Sequence, residues 1–168
     1  MMEAKDPYYD IIADSYPELH RDEQLKKLRI IRDNMKVKPS DSLLDVGCGP
    51  CFTQELFNCR ITGIDPSRKL LDKAEKRPNV TLVQGFAESL PFPDNSFEIV
   101  ISVTAVQNFS DIEKGISEMA RVAKGPAATS CLMRSGKLSL VRREIARHFR
   151  IEKEIVEEKD IIFILRKF

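Results

Sequence analysis

Much that would mark a specialised chain is missing here, and each absence narrows the field. Neither sign of charge dominates: 27 Lys and Arg stand against 26 Asp and Glu, a formal net charge of +1. No global field therefore draws the protein to nucleic acid or to a membrane surface. No apolar run approaches the ~20 residues that a bilayer requires, and Met1-Met2-Glu3-Ala4-Lys5-Asp6 lacks signal-peptide character. A cytoplasmic location is expected. Histidine is scarce; His20 and His148 have no evident partner and are read as surface or capping residues. Cys48 and Cys51 have C-x-x-C spacing, but no second pair completes a zinc site. No metal is expected, and the thiols are expected to be free in a reducing compartment. Internal repeats, low-complexity tracts and linkers are also lacking, so the 168 residues read as one domain with a proper core.

What is present is organised around Leu43-Leu44-Asp45-Val46-Gly47-Cys48-Gly49-Pro50-Cys51. An apolar run ends in an acid, and two glycines at i, i+2 follow at once. With Phe52 onward read as a helix, this is half of a nucleotide-binding βαβ unit. Glycines permit a tight turn and close approach of a ligand to the main chain. The N-terminus of the following helix is expected to offer free N–H groups to a polar or anionic ligand.

The pattern predicts helices over Arg21–Met35, Thr53–Asn58, Arg68–Lys76, Ile112–Val122 and Ser139–Phe149. It predicts strands over Ser42–Val46, Arg60–Asp65, Val80–Gln84, Phe97–Val103, Ala127–Met133, Arg150–Val156 and Asp160–Arg166. The last two face each other across Glu157-Glu158-Lys159 as a hairpin. Alternating strands and helices with a terminal hairpin imply an α/β fold, mostly parallel with an antiparallel edge, and helices on both sides.

In such a sheet, ligands bind at the carboxyl ends of the strands, where strand order reverses. The loops after the first four strands carry Asp45, Gly47 and Gly49; Asp65; Phe86-Ala87-Glu88; and Ser102 onward. Asp65, at the end of the second strand, suits bidentate bonding to two ribose hydroxyls; its plainer role is a cap ahead of Ser67. A dinucleotide site reads G-x-G-x-x-G, whereas Phe52 occupies the third glycine position. Asp45 would also repel a pyrophosphate and favour a cationic ligand, an amino group or a sulfonium centre.

These residues resemble the class I S-adenosylmethionine-dependent methyltransferases, small-molecule type. Leu43–Gly49 is similar to their glycine motif and Gly63-Ile64-Asp65-Pro66-Ser67 to their second motif. Ala87–Glu98 is similar to the following loop and strand, and Met119–Gly125 to the later helix-to-strand passage. The resemblance covers roughly residues 8 to 133. It implies a Rossmann-like three-layer sandwich with a mostly parallel seven-stranded sheet and a C-terminal antiparallel hairpin. It also implies one methyltransferase domain: a helical lead-in over 1–41, a cofactor-binding core over 42–133, and a helix and hairpin over 134–168.

By the same resemblance, Gly47, Cys48 and Gly49 approach the methionine moiety of S-adenosylmethionine, with Asp45 near its amino group. Asp65 and Pro66 lie at the ribose; Phe86 and Ala87 beside adenine; Glu88 near its edge; Ser102 and Val103 beneath the cofactor. Tyr8 and Tyr16 match an aromatic lead-in that covers the site. Gln107, Asn108, Tyr8 and Tyr16 are the candidates for orienting an acceptor. Three departures stand out. Cys51 replaces a common third glycine, Phe86 replaces an Asp that usually meets the adenine amino group, and a Lys-Pro-Gly-Gly turn is reduced to Lys124-Gly125-Pro126.

Three functions follow. The first is methyl transfer to a small molecule. The second is a catalytic subunit that modifies tRNA, rRNA or a protein and relies on an activating or substrate-recognition partner, because no inserted substrate element precedes the final hairpin. The third is a cofactor-binding protein without turnover. Nucleic acid enters only as substrate, and no membrane partner is expected. The acceptor is not specified. Arg142, Arg143, Arg147 and Arg150 are read as a solvated face rather than a phosphate site.

Overall fold

A computed structural model describes residues 8–168. Two helices open it: α1 over Tyr8–Ile11 and α2 over Tyr16–Asn34. The strands are β1 (Ser42–Val46), β2 (Arg60–Asp65), β3 (Val80–Gln84), β4 (Ile99–Ser102), β5 (Pro126–Leu132), β6 (Phe149–Glu157) and β7 (Asp160–Lys167). The remaining helices are α3 (Arg68–Leu71), α4 (Ile112–Val122) and α5 (Leu138–His148). One seven-stranded sheet runs in the order β3-β2-β1-β4-β5-β7-β6. The strands β1 to β5 pair in parallel, and β7 pairs antiparallel with β5 and β6. This is the expected Rossmann-like sandwich. Strand order reverses at β1 and β4, so the switch point lies at their carboxyl ends.

Successive residues of each strand point to opposite faces, and the core divides accordingly. Leu44, Val100, Ala127 and Phe163 face α4 and α5, meeting Ile116, Met119, Val141 and Ile145. Their neighbours Leu43, Ile99, Ile101, Ala128 and Ile162 face the other way, against Leu25, Leu28 and Ile31 of α2. Full burial of a Leu or Ile side chain contributes roughly 1.5–3 kcal/mol, so this α2 stripe is a substantial anchor. Asp111 caps α4, its side chain accepting from the Lys114 N–H. Among the described residues, no helix is long and apolar enough to cross a membrane.

The two sheet edges differ. The outer strand β6 is charged at Arg150, Glu152, Lys153 and Glu154, and its register shifts between Ile151 and Lys153. At the other end, β3 reads Val-Thr-Leu-Val-Gln, without a charge.

Three helices differ from their predicted extents by more than one residue at an end, while α5 is shifted by a single residue. α2 begins at Tyr16 rather than Arg21, because Pro17 suits a first helical turn, where its missing N–H is not needed. The predicted helix Thr53–Asn58 is a single 3₁₀ turn, Phe52–Glu55. Cys51, at φ +57°, ends the glycine turn in a left-handed conformation and leaves little chain before β2. The helix predicted over Arg68–Lys76 stops at Leu71. Arg77 lies before Pro78, which disfavours helical backbone, and its guanidinium is drawn to the Gln54 carbonyl at 2.5 Å.

Candidate functional site

At the switch point the main chain turns sharply after β1. Gly47 has φ +73° and Gly49 φ +52°. A Cβ on Gly47 would sit 2.6 Å from the Ala105 Cβ, so the position needs both the left-handed conformation and the missing side chain. A Cβ on Gly49 would meet only Leu70 and the Tyr16 ring at 3.8 Å, and there the backbone angle alone selects glycine. With only a 3₁₀ turn beyond, the expected helix-end anion site is not built. The Gln54 N–H is already given to the Cys51 carbonyl at 3.2 Å.

What the turn offers instead is negative charge. Asp45 is 4% exposed, and Thr53 donates its hydroxyl to Oδ2 at 2.5 Å. Burial pushes this carboxyl up to about 7; the Thr53 bond opposes the shift and the charge of Asp65 adds to it. Asp65 is 7% exposed and accepts from the Gly49 N–H at 2.9 Å and the Ser67 N–H at 2.8 Å. Its pKa is raised by burial, against the pull of those two N–H bonds and with a contribution from Asp10. Each oxygen retains a lone pair, so Asp65 can tie the turn and still accept from a ligand. The Ser67 hydroxyl in turn reaches Asp10 of α1 at 2.5 Å.

A narrow cleft of about 20 Å³ lies over the turn, lined by Tyr16, Gln24, Leu28, Asp45, Gly47, Cys48, Phe52, Thr53 and Val103. Five residues singled out from the sequence therefore meet there: Tyr16, Asp45, Gly47, Cys48 and Val103. Tyr16 sits tilted on His20 at 4.7 Å between ring centroids. Cys48, Cys51, Cys59 and Cys131 are buried free thiols, and burial pushes Cys48 well up. Among the described residues, no group of three His, Cys, Asp or Glu is arranged to hold a metal ion.

Other singled-out residues lie around this cleft rather than in its wall. Gly49 and Asp65 adjoin it through their shared hydrogen bond, and Pro66 is exposed beside them. Phe86 is half-buried and Ala87 buried at the end of β3. Glu88 is buried, and its Oε1 accepts from the Asp111 N–H at 3.2 Å. Ser102 is fully buried, on the opposite side of β4 from Ile101. Gln107 is buried, its Nε2 donating to the Thr104 carbonyl at 3.2 Å, while its Oε1 has no hydrogen-bond partner. Asn108 is exposed. The Tyr8 side chain lies outside the described residues.

Several participants have no motif to announce them. Thr53 fixes the Asp45 carboxylate, and Gln24 and Leu28 supply the α2 wall of the cleft. Gln24, Lys27, Leu28 and Ile31 share one helical stripe, and two polar residues within a buried stripe are the available signal. Arg121, within the Met119–Gly125 passage, has a structural role. It donates to the Leu90 and Phe92 carbonyls and pairs with Asp94 and Glu118, holding the loop after Glu88 onto α4. The arginines of α5 are paired: Arg142 with Glu154, Arg143 with Glu144, and Arg147 with Glu113 and Glu144.

Comparison with known proteins agrees with this architecture. The family described as "Methyltransferase domain" matches residues 44–127, half of the chain. A demethylmenaquinone methyltransferase of Chlorobaculum tepidum is 34% identical over 98 residues, covering 55% of this chain and 40% of its own. The chain spans less than half the length of the first curated relatives it matches. Two solved structures share the fold along nearly all of it. One is the methyltransferase of a complex with the Haloferax volcanii Trm112 methyltransferase activator (TM-score 0.83, 14% identity, 98% of this chain and 99% of that one). The other is a SAM-dependent methyltransferase from Aquifex aeolicus (TM-score 0.76, 16% identity, 98% and 100%). With the matched family spanning β1 to β5 and the strand order that goes with it, the chain belongs to the methyltransferase-domain family.

Proposed function

We propose that the chain is a cytoplasmic, single-domain methyltransferase that uses S-adenosylmethionine and acts on a small molecule. The observation that carries this is the buried Asp45, held by Thr53 in a cleft beneath a glycine turn. Its raised pKa shows how costly that carboxylate is unless a cation joins it. The donor set fits S-adenosylmethionine better than a dinucleotide: two acids, a main chain freed of side chains at Gly47, and no long helix terminus for phosphate. Asp45 would hold the amino group, Gly47, Cys48 and Gly49 the methionine chain, Asp65 and Pro66 the ribose hydroxyls, and Phe86 and Ala87 the adenine. Glu88 would flank adenine with the oxygen not given to Asp111, and Val103, with Ser102 behind it, would form the floor.

When bound, the cofactor supplies a methyl group already activated by a sulfonium charge. The chain then has to orient the acceptor and exclude water. The free Gln107 Oε1 is a hydrogen-bond acceptor suited to a hydroxyl or amine, with Asn108, Tyr8 and Tyr16 as further orienting groups. The similarity to a demethylmenaquinone methyltransferase favours a small acceptor.

A second reading makes the chain a catalytic subunit that methylates tRNA, rRNA or a protein with a partner. It is favoured by the end-to-end likeness to a methyltransferase solved with an activator, and by the uncharged edge strand β3, which is open to an added strand.

Calorimetric titration with S-adenosylhomocysteine tests both; no binding at several hundred micromolar would refute them together. Labelled-methyl transfer into small-molecule, RNA and protein extracts separates them. Label confined to RNA or protein, together with a stoichiometric partner on affinity purification, would displace the first reading.

A further inference from the structure

Away from the two acids, a buried ion pair joins three separate parts of the chain. Lys27 of α2 and Asp160 of β7 have side chains 2% and 0% exposed, with Nζ and Oδ1 3.1 Å apart. Both converge on Thr104, just beyond β4. Lys27 Nζ donates to Thr104 Oγ1 at 2.7 Å, and that hydroxyl donates to Asp160 Oδ2 at 2.8 Å. The Thr104 N–H donates to Ser130 Oγ of β5 at 2.8 Å. Glu23 approaches Lys27 Nζ at 3.6 Å from the more exposed side.

This node is expensive to build and sits beside the cleft. Thr104 has φ +51°, a conformation that β-branched residues rarely adopt and that persists only where surroundings over-determine it. Its neighbour Val103 lines the cleft, and its other neighbour Ala105 occupies the space a Gly47 side chain would need. Lys27 itself lies between Gln24 and Leu28, which wall the same cleft from α2. A buried ion pair is seldom worth more stability than well-packed apolar residues of equal size, and setting a unique geometry is its better-attested use.

We propose that Lys27, Asp160 and Thr104 are positioning residues for the methionine half of the cofactor site. The pair locks Thr104 left-handed, the locked turn seats Val103 and Ala105 against Gly47, and the same lysine clamps α2 across the opening. The inference rests on the S-adenosylmethionine reading above. It assigns the node to one half of the ligand, because Val103 lines the cleft with Asp45 and Ala105 abuts Gly47, whereas Asp65 and Phe86 belong to the β2 and β3 side.

The test uses the full chain and two probes, S-adenosylhomocysteine and adenosine, titrated by calorimetry. Thermal melting establishes that each variant is folded at the assay temperature. The double variant K27M/D160L removes both charges together, T104V removes the hydroxyl, and T104S keeps it. S-adenosylhomocysteine should bind K27M/D160L and T104V about tenfold or more weakly, a loss of ~1.4 kcal/mol. Adenosine should stay within about twofold, and T104S should restore near-wild-type binding of both. Equal binding of S-adenosylhomocysteine by wild type and variants would overturn the inference, as would proportionate loss of both probes, the mark of a merely structural role. If K27M/D160L does not fold, T104V against T104S decides the matter on the same criteria. A wild type that binds neither probe refutes the cofactor reading itself, whereas a wild type that binds and variants that match it refute the node alone.

Discussion

Replacing Asp45 by Asn should make the protein more stable and a poorer binder at once. The folded-state pKa of about 7 against an ordinary 3.8 is a shift of about three units. At ~1.36 kcal/mol per unit, ionised Asp45 destabilises the native state by up to ~4 kcal/mol. The Asn side chain keeps an acceptor for Thr53 and carries no charge, so D45N should recover about 2 kcal/mol at pH 8, a rise of roughly 4–8 °C in Tm for a chain of this length. The sign follows from proton counting. Between about pH 4 and 7 the folded protein holds a proton that the unfolded chain has released, so wild-type stability falls as pH rises through that window and levels off above it. The gap between D45N and wild type should therefore be absent near pH 4, open up to pH 7, and stay constant beyond. Thermal melts at pH 4.5, 6 and 8 read this directly. A D45N protein less stable than wild type at pH 8, or a gap independent of pH, would refute the burial argument. Calorimetry supplies the second arm. S-adenosylhomocysteine affinity should weaken in wild type as pH falls below about 7, and D45N should lose about 1.5–3 kcal/mol of binding, tenfold or more, at pH 8. Undiminished binding would remove Asp45 from the amino-group site.

Other substitutions probe the same turn. Gly47→Ala places a Cβ 2.6 Å from Ala105 at φ +73°; denaturant unfolding should show a loss of about 2–3 kcal/mol, with binding of S-adenosylhomocysteine abolished. Asp65→Ala strips the acceptor from the Gly49 and Ser67 N–H groups. It should weaken adenosine and S-adenosylhomocysteine alike, by about 1–3 kcal/mol in calorimetry, whereas D45N should spare adenosine. Cys51→Gly relieves a left-handed residue at φ +57° but vacates a fully buried site. Relief of ~1–2 kcal/mol and a comparable loss of burial should nearly cancel, leaving Tm almost unchanged. A large shift in either direction would show that one effect had been misjudged.

Strands and helices were not equally legible, and the reason is physical. β1, β2 and β3 fall where the apolar runs and their Gly, Asp and Pro boundaries place them. Those signals are local. β4 is shorter than predicted because Phe97 makes only an isolated bridge to Ala123 rather than a ladder. The helix after β1 shrinks to a single turn because the left-handed Cys51 leaves little chain before β2, and the helix after β2 stops early where Arg77, ahead of Pro78, is drawn to the Gln54 carbonyl; periodicity registers neither. In the cleft, the glycine turn and its two acids stand in motifs. Thr53 and Gln24 do not, and Lys27 and Asp160 are separated by most of the chain, so their pairing arises only when α2 packs across the sheet onto β7. The helix-dipole expectation failed for the same reason as the helix itself.

The unequal sheet edges also limit how this protein can assemble. Edge-to-edge growth into a fibre needs two receptive edges on every subunit. Charge and a register shift on β6 discourage pairing there, while β3 remains uncharged. A sheet that pairs at one edge only cannot propagate, so growth of the sheet from subunit to subunit is disfavoured by the sequence of β6 itself.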